Sequence, residues 1–98
     1  MKKNLDIINE FIINDNQLII KCKKYNIIVP IKNGSVIINI ANELKEKIGI
    51  NELHVDDRIY IFYRDIQNIN EKNYIKPIKI IKLLNYSFND ETSDSENI

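Results

Sequence analysis

Isoleucine and valine come in short runs along this chain, with Asn, Asp, Gly and Lys clustered between them, and that rhythm decides most of what the chain can fold into. β-Branched side chains pack well on a pleated surface and lose rotamer freedom against the preceding turn of a helix, so short apolar runs bounded by turn residues read as strands. Residues 5–13 form the first expected strand. Asn14-Asp15-Asn16 is expected to turn, because short amide and carboxylate side chains bond nearby backbone and tolerate left-handed conformations. Residues 17–23 follow as a second strand, with Leu18, Ile20 and Cys22 facing inward and Ile19, Lys21 and Lys23 facing out. Residues 25–32 continue extended, with Pro30 near an edge or bulge because it cannot donate to a ladder.

Asn33-Gly34 is the strongest local signal: both residues accept the positive φ that a type I′ hairpin turn demands. A strand over 36–40 comes next, and then the period changes. Ile40, Leu44 and Ile48 are spaced by four with Ala41 beside them, which predicts a short amphipathic helix capped by Asn39 and ended by Gly49, with Glu43 and Lys47 one turn apart. A strand over 58–64 and a polar loop through Gln67, Asn68, Asn70, Glu71, Lys72 and Asn73 lead to a last strand over 74–84. Its alternation slips after Pro77, so a bulge or bend is expected there. The competing assignment is a helix beginning at Pro77.

Ninety-eight residues fit one small core. The expected organisation is a β domain over 1–86 and an acidic disordered tail over 87–98, where large apolar groups give way to Asp90, Glu91, Asp94 and Glu96. Formal net charge is zero, which argues against a strongly basic coat for duplex DNA. The body, with 14 basic and ten acidic groups, is nevertheless mildly cationic, at about +4. A lone Cys22 forms no internal disulfide, and no stretch approaches the ~20 apolar residues that cross a bilayer. Asp6 and Glu10 interrupt the apolar stretch that a signal peptide would need. An intracellular location, cytoplasmic or nuclear, not secreted and not in a membrane, is the expectation.

The residues that point to function are Arg58, Tyr60, Phe62 and Arg64. Strict alternation in Arg-Ile-Tyr-Ile-Phe-Tyr-Arg places all four on one face of a strand. Twelve Lys stand against two Arg, and 23 Ile and 15 Asn accompany them, the kind of bias an AT-rich genome produces. Both arginines thus stand where the background supplies lysine. Two rings between two guanidinium groups suit single-stranded nucleic acid, with bases stacked on rings and cations following phosphates. Lys21, Lys23, Lys24 and Tyr25 form a second candidate patch, a basic run with one ring that can follow a phosphate chain. The structural alternatives are a strand buried on both faces for the rings and a charge-protected sheet edge for the lysines.

No metal site, cofactor or catalytic centre is expected. His54 near Asp56 and Asp57 reads as turn chemistry, since zinc or hydrolytic work needs further ligands or a nucleophile around it. Cys22 reads as a small core residue. With only Gly34 and Gly49, the chain has no phosphate-cradling glycine pattern.

The order of these elements resembles the OB-fold, a five-stranded partly open barrel in which a helix between the third and fourth strands closes one end. Val55-Asp56-Asp57-Arg58-Ile59-Tyr60-Ile61 looks like the turn and fourth strand of replication protein A-like OB domains, which usually carry Gly-Asp where this chain has Asp56-Asp57. The resemblance implies a small, mostly β, five- to six-stranded OB-like barrel with one short helix. It also implies a non-catalytic module for single-stranded nucleic acid. The alternative is a small accessory subunit that packs against a larger protein partner or forms a homo-oligomer, since Tyr and Arg also anchor protein interfaces. Residues 40–67 look as well like the TOBE-type barrels attached to transporter ATPases, which leave no place for residues 74–84. An Sm-like ring protein normally has its helix before the strands, whereas here it follows them. The acidic tail resembles in character those of single-stranded-DNA-binding proteins, which recruit partners. Its serines precede acidic residues as acidophilic kinases prefer, and a solubilising terminus is the structural alternative.

Overall fold

The computed structural model describes residues 1–14 and 16–84, so the acidic segment and Asp15 lie outside the described residues. The chain is mostly β. In order come β1 (Lys2–Ile13), β2 (Gln17–Cys22), β3 (Asn26–Lys32), β4 (Ser35–Val36), β5 (Asn39–Asn42), a single 3-10 turn (Ile50–Glu52), β6 (Arg58–Tyr63), β7 (Ile66–Ile69), β8 (Lys72–Ile75) and β9 (Lys79–Lys82). Across the sheet they run β5-β9-β6-β1-β2-β3-β8-β7, with β4 alongside β3. The ladder is an open path rather than a closed ring. Two of its pairings, β3 with β8 and β5 with β9, are parallel.

β1 belongs to both halves of this sheet. Lys2 to Ile7 pair with β6, whereas Ile8 to Ile13 pair with β2. Between Ile8 and Glu10 the register shifts, and this bulge resolves the phase that the doubled isoleucines obscure. Before it Asp6 and Ile8 are buried; after it Phe11 packs against the core opposite Ile20. An extra residue reverses which parity points inward and bends the strand. The bend is held by Asp6, only 2% exposed. Its carboxylate accepts from the backbone N–H of Ile7 at 2.9 Å, Lys24 at 2.9 Å and Tyr25 at 3.1 Å. A buried carboxylate is tolerated when such donors satisfy it.

The core gathers Ile8, Leu18, Ile20, Ile27, Val29, Ile40, Ile59, Ile61, Ile75 and Ile80 into one cluster. Leu18, Ile20 and Cys22 face inward as the alternation of β2 predicts. Burial pushes the Cys22 thiol up from its ordinary 9.0 to about 12, with the nearby Asp6 charge adding to the effect. The hairpin at Asn33-Gly34 is present, with φ of 52° and 78° and Lys32 opposite Ser35. The chain also bends where expected, since residues 76–78 break β8 from β9 at Pro77.

The helix over 41–48 is not there; no α-helix occurs among the described residues. β5 runs into a tight turn instead, and the chain folds back so that Lys47 bridges Ala41 and the N–H of Ile48 donates to Ile40. Asn42 is the cause. Its Oδ1 accepts from the N–H of Leu44 at 2.9 Å and of Glu46 at 3.1 Å, and its Nδ2 donates to Glu46 at 2.7 Å. A short polar side chain has captured the backbone groups that a helix would use. Lys45 is left-handed with φ of 67°, and Leu44, which the period assigned to an apolar stripe, is 61% exposed. Gly49 has φ of −89°, so it is no left-handed helix cap. Glu43 does not pair with Lys47; its carboxylate accepts from the N–H of Leu84.

Two further expectations change. The strand over 36–40 is split between β4 and β5. The polar loop over 67–73 is a hairpin of β7 and β8, turned by Asn70 and Glu71 at φ of 51° and 66°. Every residue of β7 is exposed, so no inside-outside alternation marks it. With these strands the sheet exceeds the five or six expected.

Candidate nucleic-acid interface

β6 is placed between β1 and β9 by its isoleucines. Ile59, Ile61 and Tyr63 turn inward, with the Tyr63 hydroxyl accepting from Asn4 Nδ2 at 2.9 Å. The other parity, Arg58, Tyr60 and Phe62, therefore lies on the outer face, half-buried. Cross-strand register aligns two rows on that face. One runs Ala41, Ile81, Tyr60, Leu5, and the other Asn39, Lys79, Phe62, Lys3.

Both rings carry a cation. Lys3 Nζ lies 4.6 Å from the Tyr60 ring centroid, and Lys79 Nζ lies 4.7 Å from that of Phe62. Each is within the range where an ammonium is drawn to the negative face of a ring. A groove of about 860 Å³ opens beside them, with Ala41, Ile81 and Leu83 as its floor and Lys45 and Lys47 on the far side. The turn-back at Asn42 sets those two lysines there. Sequence reading missed Lys3, Lys45, Lys47 and Lys79 because they are far from β6 in the chain and look like the lysine background.

The remaining candidates fall elsewhere. Arg64 is exposed just past the end of β6. Lys21 sits on β2 in a row with Glu10, Asn26 and Tyr74, on the outside of the other half-sheet. Lys23 and Lys24 are exposed in the bend after β2, and the Lys23 N–H donates to Ile7, the neighbour of Arg58. Tyr25 packs against the core. The structure thus groups Arg58, Tyr60 and Phe62 but does not bring Lys21 and Tyr25 to them.

His54 and Asp57 form a turn. The Asp57 carboxylate accepts from the His54 N–H at 2.8 Å and pairs with Lys82 Nζ at 3.3 Å. Lys82 also donates to the Glu52 carbonyl at 2.7 Å, so this cluster ties the 3-10 turn to β9. Among the described residues no group of three His, Cys, Asp or Glu side chains is placed to hold a metal ion. No helix among them is long and apolar enough to cross a membrane.

No family model matches the chain, and no curated protein or solved structure is significantly similar to it. The functional reading therefore stands on the geometry of the β6 face alone.

Proposed function

We propose that the outer face of β6 binds single-stranded nucleic acid without catalysing a reaction. The observation that carries this reading is that Tyr60 and Phe62 lie side by side on the outer face, each with a lysine ammonium over its ring. Those lysines do not block the rings. An exposed cation–π contact is worth about 0.5–1 kcal/mol, whereas a base stacked on a ring is worth ~1–3 kcal/mol. A base displaces the ammonium with a net gain.

The strand connections support an OB-like, partly open barrel as the frame. β1 serves both half-sheets, and the segment of β8 and β9 reaches one half through β3 and the other through β6. The place of the expected helix is taken by the turn-back after β5 and the 3-10 turn. Fold analogy adds nothing to the function by itself.

A second reading has its own observation. Leu5, Ile81 and Leu83 extend the ring surface with apolar groups, which favours an accessory subunit packed against a larger protein. Fluorescence anisotropy of a labelled strand of about 20 nucleotides, long enough to cover a site of this size, separates the two. Binding is expected to weaken steeply with salt, and Tyr60→Ala combined with Phe62→Ala to lose about 2 kcal/mol or more. Absence of binding at low salt rejects the nucleic-acid reading and leaves the protein interface.

A further inference from the structure

The groove beside the rings has a direction. On one side stand Tyr60 and Phe62; the floor is Ala41, Ile81 and Leu83; Lys45 and Lys47 stand on the other. In the cross-strand row Lys47, Ala41, Ile81, Tyr60, the lysine is three strand spacings from the ring, roughly 14 Å between backbones. Both lysines line the same groove as the rings, and a long, flexible lysine side chain can reach across part of that gap. The two rings are two residues apart on one strand, about 6.7 Å, a separation comparable with successive nucleotides in an extended single strand. The groove also lies within the ~300–1,000 Å³ range of sites that enclose a small ligand.

The hairpin that carries these lysines is rigidly built. Asn42 spends its Oδ1 on the N–H groups of Leu44 and Glu46 and one Nδ2 hydrogen on the Glu46 carboxylate, so its amide is committed to holding the turn. Asn39 is exposed in the Phe62 row. The groove thus offers stacking surface on one wall, an apolar floor, and on the opposite wall two lysines beside Glu43, whose carboxylate accepts from the N–H of Leu84.

We infer that this groove is a short phosphate-and-base channel: bases stack on Tyr60 and Phe62 above Ile81 and Leu83, while their phosphates are neutralised by Lys45 and Lys47. The inference rests on the single-strand reading above and deepens it. It fixes which side of the rings the backbone takes, and it limits the intimate footprint to two or three nucleotides. The lysines near the β2–β3 bend then carry no phosphate.

Anisotropy titrations with labelled oligothymidylates over a salt series test this. For single strands the slope of log affinity against log salt falls by about 0.7 for each phosphate contact. Lys45→Gln with Lys47→Gln is expected to make the slope shallower by about 1.4, while Lys→Arg at both positions keeps it. Lys21→Gln, Lys23→Gln and Lys24→Gln together are expected to leave it unchanged. In a length series, affinity is expected to climb steeply to three nucleotides and only gradually after. A strand that needs Tyr60 and Phe62 but ignores the Lys45 and Lys47 changes overturns the channel and keeps the single-strand function. An unaltered slope in that pair together with a shallower one in the Lys21, Lys23, Lys24 variant moves the backbone to the other side of β1. Failure of the unmodified protein to bind any oligonucleotide at low salt removes both.

Discussion

The two outer faces of this sheet are built from the same kind of strand and carry different chemistry. Outside β5, β9, β6 and the first half of β1 lie Tyr60, Phe62 and the lysines over them. Outside the second half of β1, β2 and β3 lies a row of three half-buried isoleucines, Ile12, Ile19 and Ile28. Both faces satisfy alternation equally well. Alternation tells which side chains turn away from the core, and only their identity tells what they meet there. In a chain with 23 isoleucines, an outward isoleucine is background, whereas two rings beside two arginines run against it. The contrast locates the candidate interface on one half-sheet and makes the other its internal control.

The largest effect is expected at the corner that keeps the faces apart. Asp6 satisfies the N–H groups of Ile7, Lys24 and Tyr25 from a buried position. Orphaning a buried donor costs about 1–3 kcal/mol, so Asp6→Ala is expected to destabilise the domain by about 3 kcal/mol or more in urea unfolding. A loss under about 0.5 kcal/mol, the size of an ordinary surface change, would show that water replaces the carboxylate and that the corner holds without it.

The next effect sharpens the contrast directly. Tyr60→Ala with Phe62→Ala is expected to weaken oligonucleotide binding by about 30-fold or more, the equivalent of ~2 kcal/mol. Ile19→Ala with Ile28→Ala, which strips the other face, is expected to change it less than about twofold, since no stacking surface is lost. Equal losses from both pairs would mean that binding follows general stability rather than a face. Thermal unfolding of each variant alongside the titration tells those apart.

Much of this was legible in the residues. Leu18, Ile20 and Cys22 point inward because alternation had one consistent phase in β2, and Asn33-Gly34 turns because both residues take the positive φ that the hairpin needs. The parity of β6 followed in the same way from Ile59 and Ile61. The failures have separate physical causes, and the plainest is local polar chemistry overriding a period. A spacing of four over Ile40, Leu44 and Ile48 imitates a helix, but Asn42 closes a turn with its own amide. β7 shows no alternation because neither of its faces is buried. The lysines of the groove were invisible as a group because nothing in the sequence places residues 3, 45, 47 and 79 side by side; only the register of four strands and one turn-back does so.

The smallest expected effect concerns the loop that launches β6. Asp56 has φ of 75°, the left-handed region that glycine enters without a Cβ penalty. Its N–H donates to the Ile8 carbonyl at 2.8 Å, and the carbonyl of the next residue, Asp57, accepts from the Ile8 N–H at 3.0 Å. The left-handed turn is therefore fixed against Ile8 of β1. Aspartate tolerates this conformation better than most residues because its short side chain can bond locally, yet it still carries roughly 1 kcal/mol of strain. Glycine removes that strain and gives back part of the gain through a freer unfolded chain. Asp56→Gly is thus expected to raise stability by about 0.5 kcal/mol, and Asp56→Ala to lower it by about 1 kcal/mol. Both are read from urea midpoints at unchanged slope. Since Asp56 lies before the strand and outside the ring rows, neither change is expected to alter oligonucleotide affinity. A drop in affinity with Asp56→Gly at undiminished stability would mean that the turn aims the rings, because a looser launch of β6 would then misplace Tyr60 and Phe62 without loosening the core beneath them.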